Sequence, residues 1–352
     1  RPHNGYTMND RRKRLPAAVP LSPDPAPAAV PTLEQLVGEC LAANYGVRGQ
    51  LERLPGENLN FLVLIDGIKQ YVFKIVDEHM PPAVVELEFA AIEHAVRAGF
   101  PLRLPRVIGN RFGNIETGID IHLNGSYRAR LIEFIDGTDL SAISGISENM
   151  LRNVGRTVAG FNRVMHDFDH PAARRNHRWN LAEAAQHRDK IRLIAEREKR
   201  ELLVWAYAAW EGLRERLPEL PWQFIHGDAH DENVLMDGER VTGLIDFGDC
   251  CHNPTVCDLA TCVTYLMMRG DPLRIAQVIV EAYREVRSLS TAETQCLYPL
   301  ICGRLAVSLC IANERKAIDP HNPNWFGGEG RTWLLLDRFR ALGQPAFEAK
   351  MT

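Results

Sequence analysis

The chain has 352 residues, 45% of them hydrophobic and 24% charged, with a formal net charge of −4. That length supports two modest domains with real cores, and the composition is that of an ordinary globular protein. The slight acidic excess excludes a general nucleic-acid binder, and no apolar run approaches membrane-spanning length, so neither nucleic acid nor a membrane is expected as a partner.

Residues 1–31 are rich in Pro and Ala without apolar periodicity and read as a disordered or extended segment. The basic start, Arg1 to Arg14, lacks the apolar stretch that a signal peptide needs. From Thr32 the pattern changes: Leu33, Leu36, Val37, Cys40 and Leu41 share one helical face behind a Thr N-cap. Next comes Leu54-Pro55-Gly56-Glu57-Asn58-Leu59-Asn60-Phe61, a strand to Ile65, a turn at Asp66-Gly67, and a return strand from Ile68 to Ile75. On that strand Val72 and Lys74 share a face, because side chains alternate. Pro81-Pro82 opens a helix with Val85, Phe89, Ile92 and Val96 expected on its core face.

Leu131 to Gly137 reads as a strand ending in a turn. Ser147 caps a helix with the apolar stripe Leu151, Val154, Val158, Phe161 and Met165. Residues 182–216 are heavily charged with mixed signs and are expected to be one long helical stretch with a solvated face. Residues 272–342 are expected to be helical.

The sharpest signal lies between these helical regions. Phe224 to Met236 reads apolar run, polar loop, apolar run. Asp237-Gly238 then turns the chain into a third apolar run that ends in Ile245-Asp246-Phe247-Gly248-Asp249. The strands after the loop form a hairpin that holds Asp228, Asn233 and Asp246 at neighbouring strand ends. Two carboxylates and an amide there make a hard-oxygen site suited to Mg²⁺ and a phosphate tail. Asp228 is free to take a proton from a hydroxyl, with Asn233 five positions on. His226 is expected to brace this loop. His230 and Asp231 fall in the insert, open to the cleft, facing substrate or solvent. Asp258, in Cys257-Asp258-Leu259-Ala260, is expected to anchor a helix near the loop.

This His-Gly-Asp-x4-Asn and Ile-Asp-Phe-Gly-Asp pair resembles the aminoglycoside phosphotransferase and choline kinase-like superfamily, a branch of the protein-kinase-like fold. Protein kinases carry Arg where this chain has Gly227. The resemblance runs from about residue 56 to about residue 337. It implies an α+β, bilobal fold with a small antiparallel-sheet lobe at 32–135 and a larger, mainly helical lobe at 136–352. It also implies ATP (or GTP) and Mg²⁺ between the lobes and phosphoryl transfer to a small-molecule hydroxyl. Residue by residue, the loop with Gly56, Asn58 and Asn60 covers the nucleotide phosphates, Lys74 grips them, and Val72 roofs the base. Glu133 and Ile135 meet the base through their main chain. Asp228 is the catalytic residue; Asn233 and Asp246 hold the metal. A helix acid steadies Lys74: Glu86 and Glu88 compete for that role, with Glu93 third.

The segment Asp169 to Leu181, with His170-Pro171 and Arg178-Trp179-Asn180-Leu181, is similar to the hydroxylysine-kinase-type branch. That tilts the expected acceptor toward an amino alcohol or hydroxy-amino acid such as hydroxylysine or homoserine. Arg178 and Trp179 either wall an amino-acid pocket or plug the lower lobe, and Arg304, Ser308 and Asn313 either face the cleft or lie on a helix surface. An antibiotic phosphotransferase is the same-class alternative, and a non-catalytic nucleotide-binding scaffold the different-class one. Eight cysteines without a Cys-x2-Cys pair read as reduced, mostly buried thiols of a cytoplasmic protein, with Cys250 and Cys251 partly accessible.

Overall fold

A computed structural model describes residues 31–54, 59–76, 80–121, 126–322 and 326–351. Helix α1 (Leu33–Tyr45) starts at Thr32 with a full capping box, Thr32 and Gln35 each satisfying the other's backbone N–H. Strands β1 (Gln50–Arg53), β2 (Asn60–Ile65) and β3 (Ile68–Ile75) follow. Asp66 and Gly67 both have positive φ, 51° and 78°, as a two-residue primed turn requires. Helix α2 (Pro82–Arg97) comes next, then β4 (Val107–Ile108), β5 (Thr117–Asp120) and β6 (Ser126–Glu133). The sheet order is β1-β2-β3-β6-β4, with β5 also on β6, antiparallel throughout.

Register divides this sheet into two faces. Phe61, Phe73 and Leu131 align across it and, with Val63, Ile75 and Ala129, pack on Val37, Cys40 and Leu41 of α1. The opposite face carries two rungs: Leu62, Val72 and Ile132, then Asn60, Lys74 and Arg130. That face looks into the cleft.

The larger lobe begins with β7 (Thr138–Asp139) and α3 (Glu148–Val164), then α4 (Arg197–Glu211). Strands β8 (Trp222–Ile225), β9 (Val234–Asp237), β10 (Arg240–Leu244) and β11 (Cys251–Pro254) carry the acidic motifs. Helices α5 (Val256–Leu266), α6 (Pro272–Arg284), α7 (Thr291–Ile318), α8 (Glu329–Leu342) and α9 (Gln344–Met351) complete it. The hairpin is β9–β10, with Arg240 opposite Asp237, and β7 adds on its other side. β8 pairs instead with β11, which brackets the polar loop between two short sheets.

Four expectations are corrected. The buried face of α2 is Val84, Val85, Leu87, Glu88, Ala91, Ile92 and Ala95, whereas Val96 is exposed. Leu87, Ala91, Ile92 and Ala95 join the core of the larger lobe, so the helix is rotated toward that lobe and carries Glu88 inward. Residues 182–216 are not one helix: a 3₁₀ segment, Leu181–Leu193, precedes α4, with a non-helical backbone at Glu183. Cys250 and Cys251 are both buried, because β11 lies inside the core rather than at the cleft edge. Finally, α7 is long and apolar enough to cross a membrane by length and composition, with mean hydropathy 1.5, yet 83% of that stretch is buried in the fold. A helix packed on all sides is apolar all round for the same reason that a lipid-exposed one is.

Candidate active site

Between the lobes lies a cavity of about 410 Å³. Val72, Ile132, Phe134 and Ile135 line one part of it; Asn60, Lys74, Asn233 and Asp246 line another. Lys74 Nζ stands 3.5 Å from Asp246 Oδ1. The Lys74 ammonium is the main reason the Asp246 carboxyl sits below its usual range, ahead of the opposing effects of burial and Asp228. Asp246 is held in left-handed backbone, φ 60° and ψ 81°, which turns its carboxylate out of the strand line; its side chain is 49% exposed.

The polar loop is braced from two sides. His226 Nδ1 accepts from the Asp228 N–H at 3.3 Å, and its Nε2, carrying the proton in that tautomer, donates to the Ile245 carbonyl at 3.1 Å. That ties the loop to the residue before Asp246. From beneath, Asp258 accepts from the N–H groups of His226 (3.2 Å) and Gly227 (2.8 Å) and from Asn162 Nδ2 (2.6 Å). Burial raises the Asp258 carboxyl even against those donors. Gly227 has φ of 80°, and a Cβ there would meet the Asp249 carbonyl oxygen at 2.5 Å. An arginine, as protein kinases have, does not fit this turn.

Asp228 meets three side chains, those of Arg304, His230 and Asn233. Its Oδ1 accepts from Arg304 Nη2 at 2.7 Å and lies 3.2 Å from His230 Nε2. Its Oδ2 accepts from Asn233 Nδ2 at 2.9 Å, and Asn233 Nδ2 also reaches the Asp228 carbonyl at 2.8 Å. Burial alone would raise this carboxyl; His230 and Arg304 outweigh it and hold it far below the usual range. The Asn233 amide oxygen is left free by that arrangement. It and Asp246 line one cavity and form a hard-oxygen pair that could hold a divalent cation completing its shell with phosphate and water. Among the described residues no group of three or more His, Cys, Asp or Glu is placed to hold a metal ion, so the pair here is one carboxylate and one amide.

The remaining expected site residues divide. Glu88 is buried and ion-paired with Arg130, while Glu86 is exposed and Glu93 binds Arg106 through both carboxylate oxygens. The Glu133 N–H is committed to the Arg106 carbonyl at 2.9 Å, which leaves its own carbonyl for the cavity. Gly56 and Asn58 lie outside the described residues.

His230 and Asp231 are not open to the cleft; both are buried. His230 is wedged between Asp228 and Asp231 and stacks on Tyr265 at 4.1 Å, and Asp231 is bound by Arg269 Nη1 at 2.9 Å. Opposite charges placed this close satisfy one another internally, which is what closes the insert. Arg304 is fully buried, stacked 4.7 Å from the Trp179 ring, and donates to the Trp179 carbonyl at 3.3 Å. Arg178 does not stand free as a carboxylate clamp: its Nη2 binds Glu314 at 2.7 Å, and Lys190 takes the other Glu314 oxygen at 2.8 Å. Ser308 faces the Tyr265 hydroxyl at 3.3 Å, and Asn313 Nδ2 bonds to the Leu309 carbonyl and Glu329.

Tyr265, Arg269 and Arg130 were not singled out in the sequence. Only Arg130 left a signal there, two positions before Ile132 on an alternating strand.

Comparison with known proteins bears on this geometry. Mouse (Mus musculus) hydroxylysine kinase is 26% identical over 329 residues, covering 85% of this chain and 86% of that protein. Among solved structures, a microcompartment-associated aminopropanol kinase superposes with a TM-score of 0.68 at 19% identity, covering 87% of this chain and 97% of its own. An amicoumacin kinase, solved in complex with AMP-PNP, Ca²⁺ and Ami, gives 0.67 at 14% identity over 91% and 94%. Those two establish a shared bilobal kinase-like fold. The model of the phosphotransferase enzyme family matches residues 50–293, from the first strand of the sheet to the start of α7, and the chain, a small-molecule phosphotransferase, belongs to that family.

Proposed function

We propose that the chain transfers the γ-phosphoryl group of ATP or GTP, with Mg²⁺, to a hydroxyl of a small amino alcohol or hydroxy-amino acid, hydroxylysine-like ahead of homoserine. The observation that carries this reading is the meeting of Asp228, Asn233, Asp246 and Lys74 beside a cavity with an apolar far end. The base would lie between Val72 and Ile132, against the Glu133–Ile135 main chain. The phosphates would lie toward Asn60 and Lys74. Asn233 and Asp246 would hold Mg²⁺, which when bound neutralises phosphate charge. Residues 32–135 then bind the nucleotide, and 136–352 carry the catalytic residues and the acceptor site.

Asp228 orients the acceptor hydroxyl. It takes that hydroxyl's proton late in a loose transition state, so most of its work is positioning. Arg304 and His230 fix its rotamer. Trp179 forms the acceptor-side wall, with Arg304 and Arg315 against its ring. The basic segment Arg174 to Arg178 fits a polycationic antibiotic poorly. A non-catalytic scaffold would have lost Lys74, Asp228 or Asp246, and all three are in place.

A panel of hydroxyl compounds, offered with ATP and with GTP and scored by nucleoside-diphosphate production, tests the assignment. Hydroxylysine-like amino alcohols should raise production well above nucleotide alone. If no compound does, the reading fails. Asp228→Asn should lower turnover about 10²-fold or more while nucleotide still binds in a calorimetric titration; ordinary turnover by that variant would remove the role given to Asp228.

A further inference from the structure

The second rung of the cleft face is wholly polar: Asn60, Lys74 and Arg130 stand opposite one another across β2, β3 and β6. One step along the same face the rung is Leu62, Val72 and Ile132. Steps of two residues are about 7 Å apart along a strand, so the sheet passes from an apolar platform to a cationic one within the cavity. Asn60, Lys74, Arg130 and Glu88 all line that cavity.

Arg130 and Glu88 are each only 5% exposed and are bound to one another through one oxygen of Glu88. The pair is not saturated. Arg130 Nε and Nη1, Glu88 Oε1 and Asn60 Oδ1 are all buried and make no hydrogen bond to another protein atom. Guanidinium donors buried without acceptors are costly, so a site that keeps them needs a ligand or a water to satisfy them. Lys74 meanwhile pairs with Asp246, not with Glu88, so each cation of the rung already has its own carboxylate.

We propose that Arg130 is a second polyphosphate-recognising residue of the cleft, set beside Lys74 by strand register and held in its rotamer by Glu88. This rests on the reading that a nucleotide fills the cavity. The ligand chemistry is the phosphate chain, not the base: Arg130 aligns with Lys74, whereas the platform for a planar base is the Val72–Ile132 rung. A planar fork with two nitrogens not bonded to Glu88 suits phosphate oxygens, and Glu88 balances the charge of the buried cation.

Calorimetric titration of the full chain with ATP, ADP and adenosine, in Mg²⁺ and no acceptor, tests the proposal. Arg130→Met alone would leave Glu88 as a buried unpaired anion, so the informative variant is the charge-balanced Arg130→Met/Glu88→Met. It should weaken ATP and ADP roughly tenfold or more, the worth of a charge-assisted hydrogen bond, and leave adenosine within about twofold. Arg130→Lys, which keeps the charge and loses the fork, should show a smaller loss on the same two ligands, and it stands in if the double variant does not fold. Equal changes for ATP, ADP and adenosine, or no change in any, would overturn the proposal and leave the pair a structural one. Wild-type protein that binds ATP no better than adenosine would instead remove the nucleotide reading itself.

Discussion

Asp228 carries two cations on one oxygen, Arg304 at 2.7 Å and His230 at 3.2 Å. His230 shows the reciprocal effect. Burial favours its neutral ring, but carboxylates at both nitrogens raise its pKa well above 6.5. Both groups are therefore charged at neutral pH. The Asp228 pKa is depressed, so its stabilising contribution is present above 3.8 and is lost as pH falls below it. The His230 pKa is raised, so its contribution is full below 6.5 and is lost only as pH rises through the folded value. Between those limits the pair is intact. Replacing the ring removes the larger of the two cationic effects on Asp228, and burial then pushes that carboxyl upward. The kcat/KM profile of His230→Gln should gain an acid limb at a higher pH than any the wild type shows. A variant profile that superimposes on the wild type would show that the histidine does not set the state of Asp228.

At the scale of elements, the site depends on how two short sheets and α5 bracket one loop. Asp258, near the start of α5, satisfies the buried N–H of His226, the half-buried N–H of Gly227 and the buried amide of Asn162. Asp258→Ala leaves those donors unpaired, at about 1–3 kcal/mol for each one that finds no water. The expected result is a lower urea midpoint together with a fall in kcat larger than any rise in the nucleotide KM, because the loop rather than the cleft loses its support. A full loss of stability with unchanged kcat in the folded fraction would separate Asp258 from the loop.

The loop, the hairpin and the capped helices were legible in the sequence because each is set by neighbours a few positions apart. Thr32 with Gln35 and Asp66-Gly67 are such cases. What was not legible depends on partners far along the chain. Glu88 could be weighed against Glu86 by helical phase, but its partner Arg130 is 42 positions away and is fixed only by the pairing of β3 with β6. His230 and Asp231 read as exposed because polar residues in a loop usually are; Arg269 and Tyr265, on and beyond α5, close them. The role of Arg178 stayed open in the sequence for the same reason, its partner Glu314 lying 136 positions on.

At the scale of the whole molecule, most of the buried apolar side chains among the described residues fall into two clusters of very different size. The smaller holds Cys40 among residues of α1, β2, β3, β5 and β6. The larger holds Cys250, Cys251, Cys257, Cys262, Cys296, Cys302 and Cys310, and takes in the inner face of α2 as well. Helix α2 is further tied to that side by His94, whose Nε2 lies 3.2 Å from the Val164 carbonyl and 3.1 Å from Asp167. The sheet lobe therefore keeps α1 as its own cover and shares α2 with its neighbour. A small core buries less apolar surface and opens at lower free energy than a large one. All eight cysteines are free and buried, so each thiol reports the opening of its own surroundings. Peptide-resolved maleimide labelling along a urea series should show Cys40 reacting first, and the seven thiols of the larger cluster reacting later and together. Saturating nucleotide, if it bridges the lobes, should bring the Cys40 transition toward the others, since a ligand that needs both lobes stabilises the weaker one by mass action. Eight coincident transitions without nucleotide would show instead that the shared face of α2 is enough to make the two cores one cooperative unit.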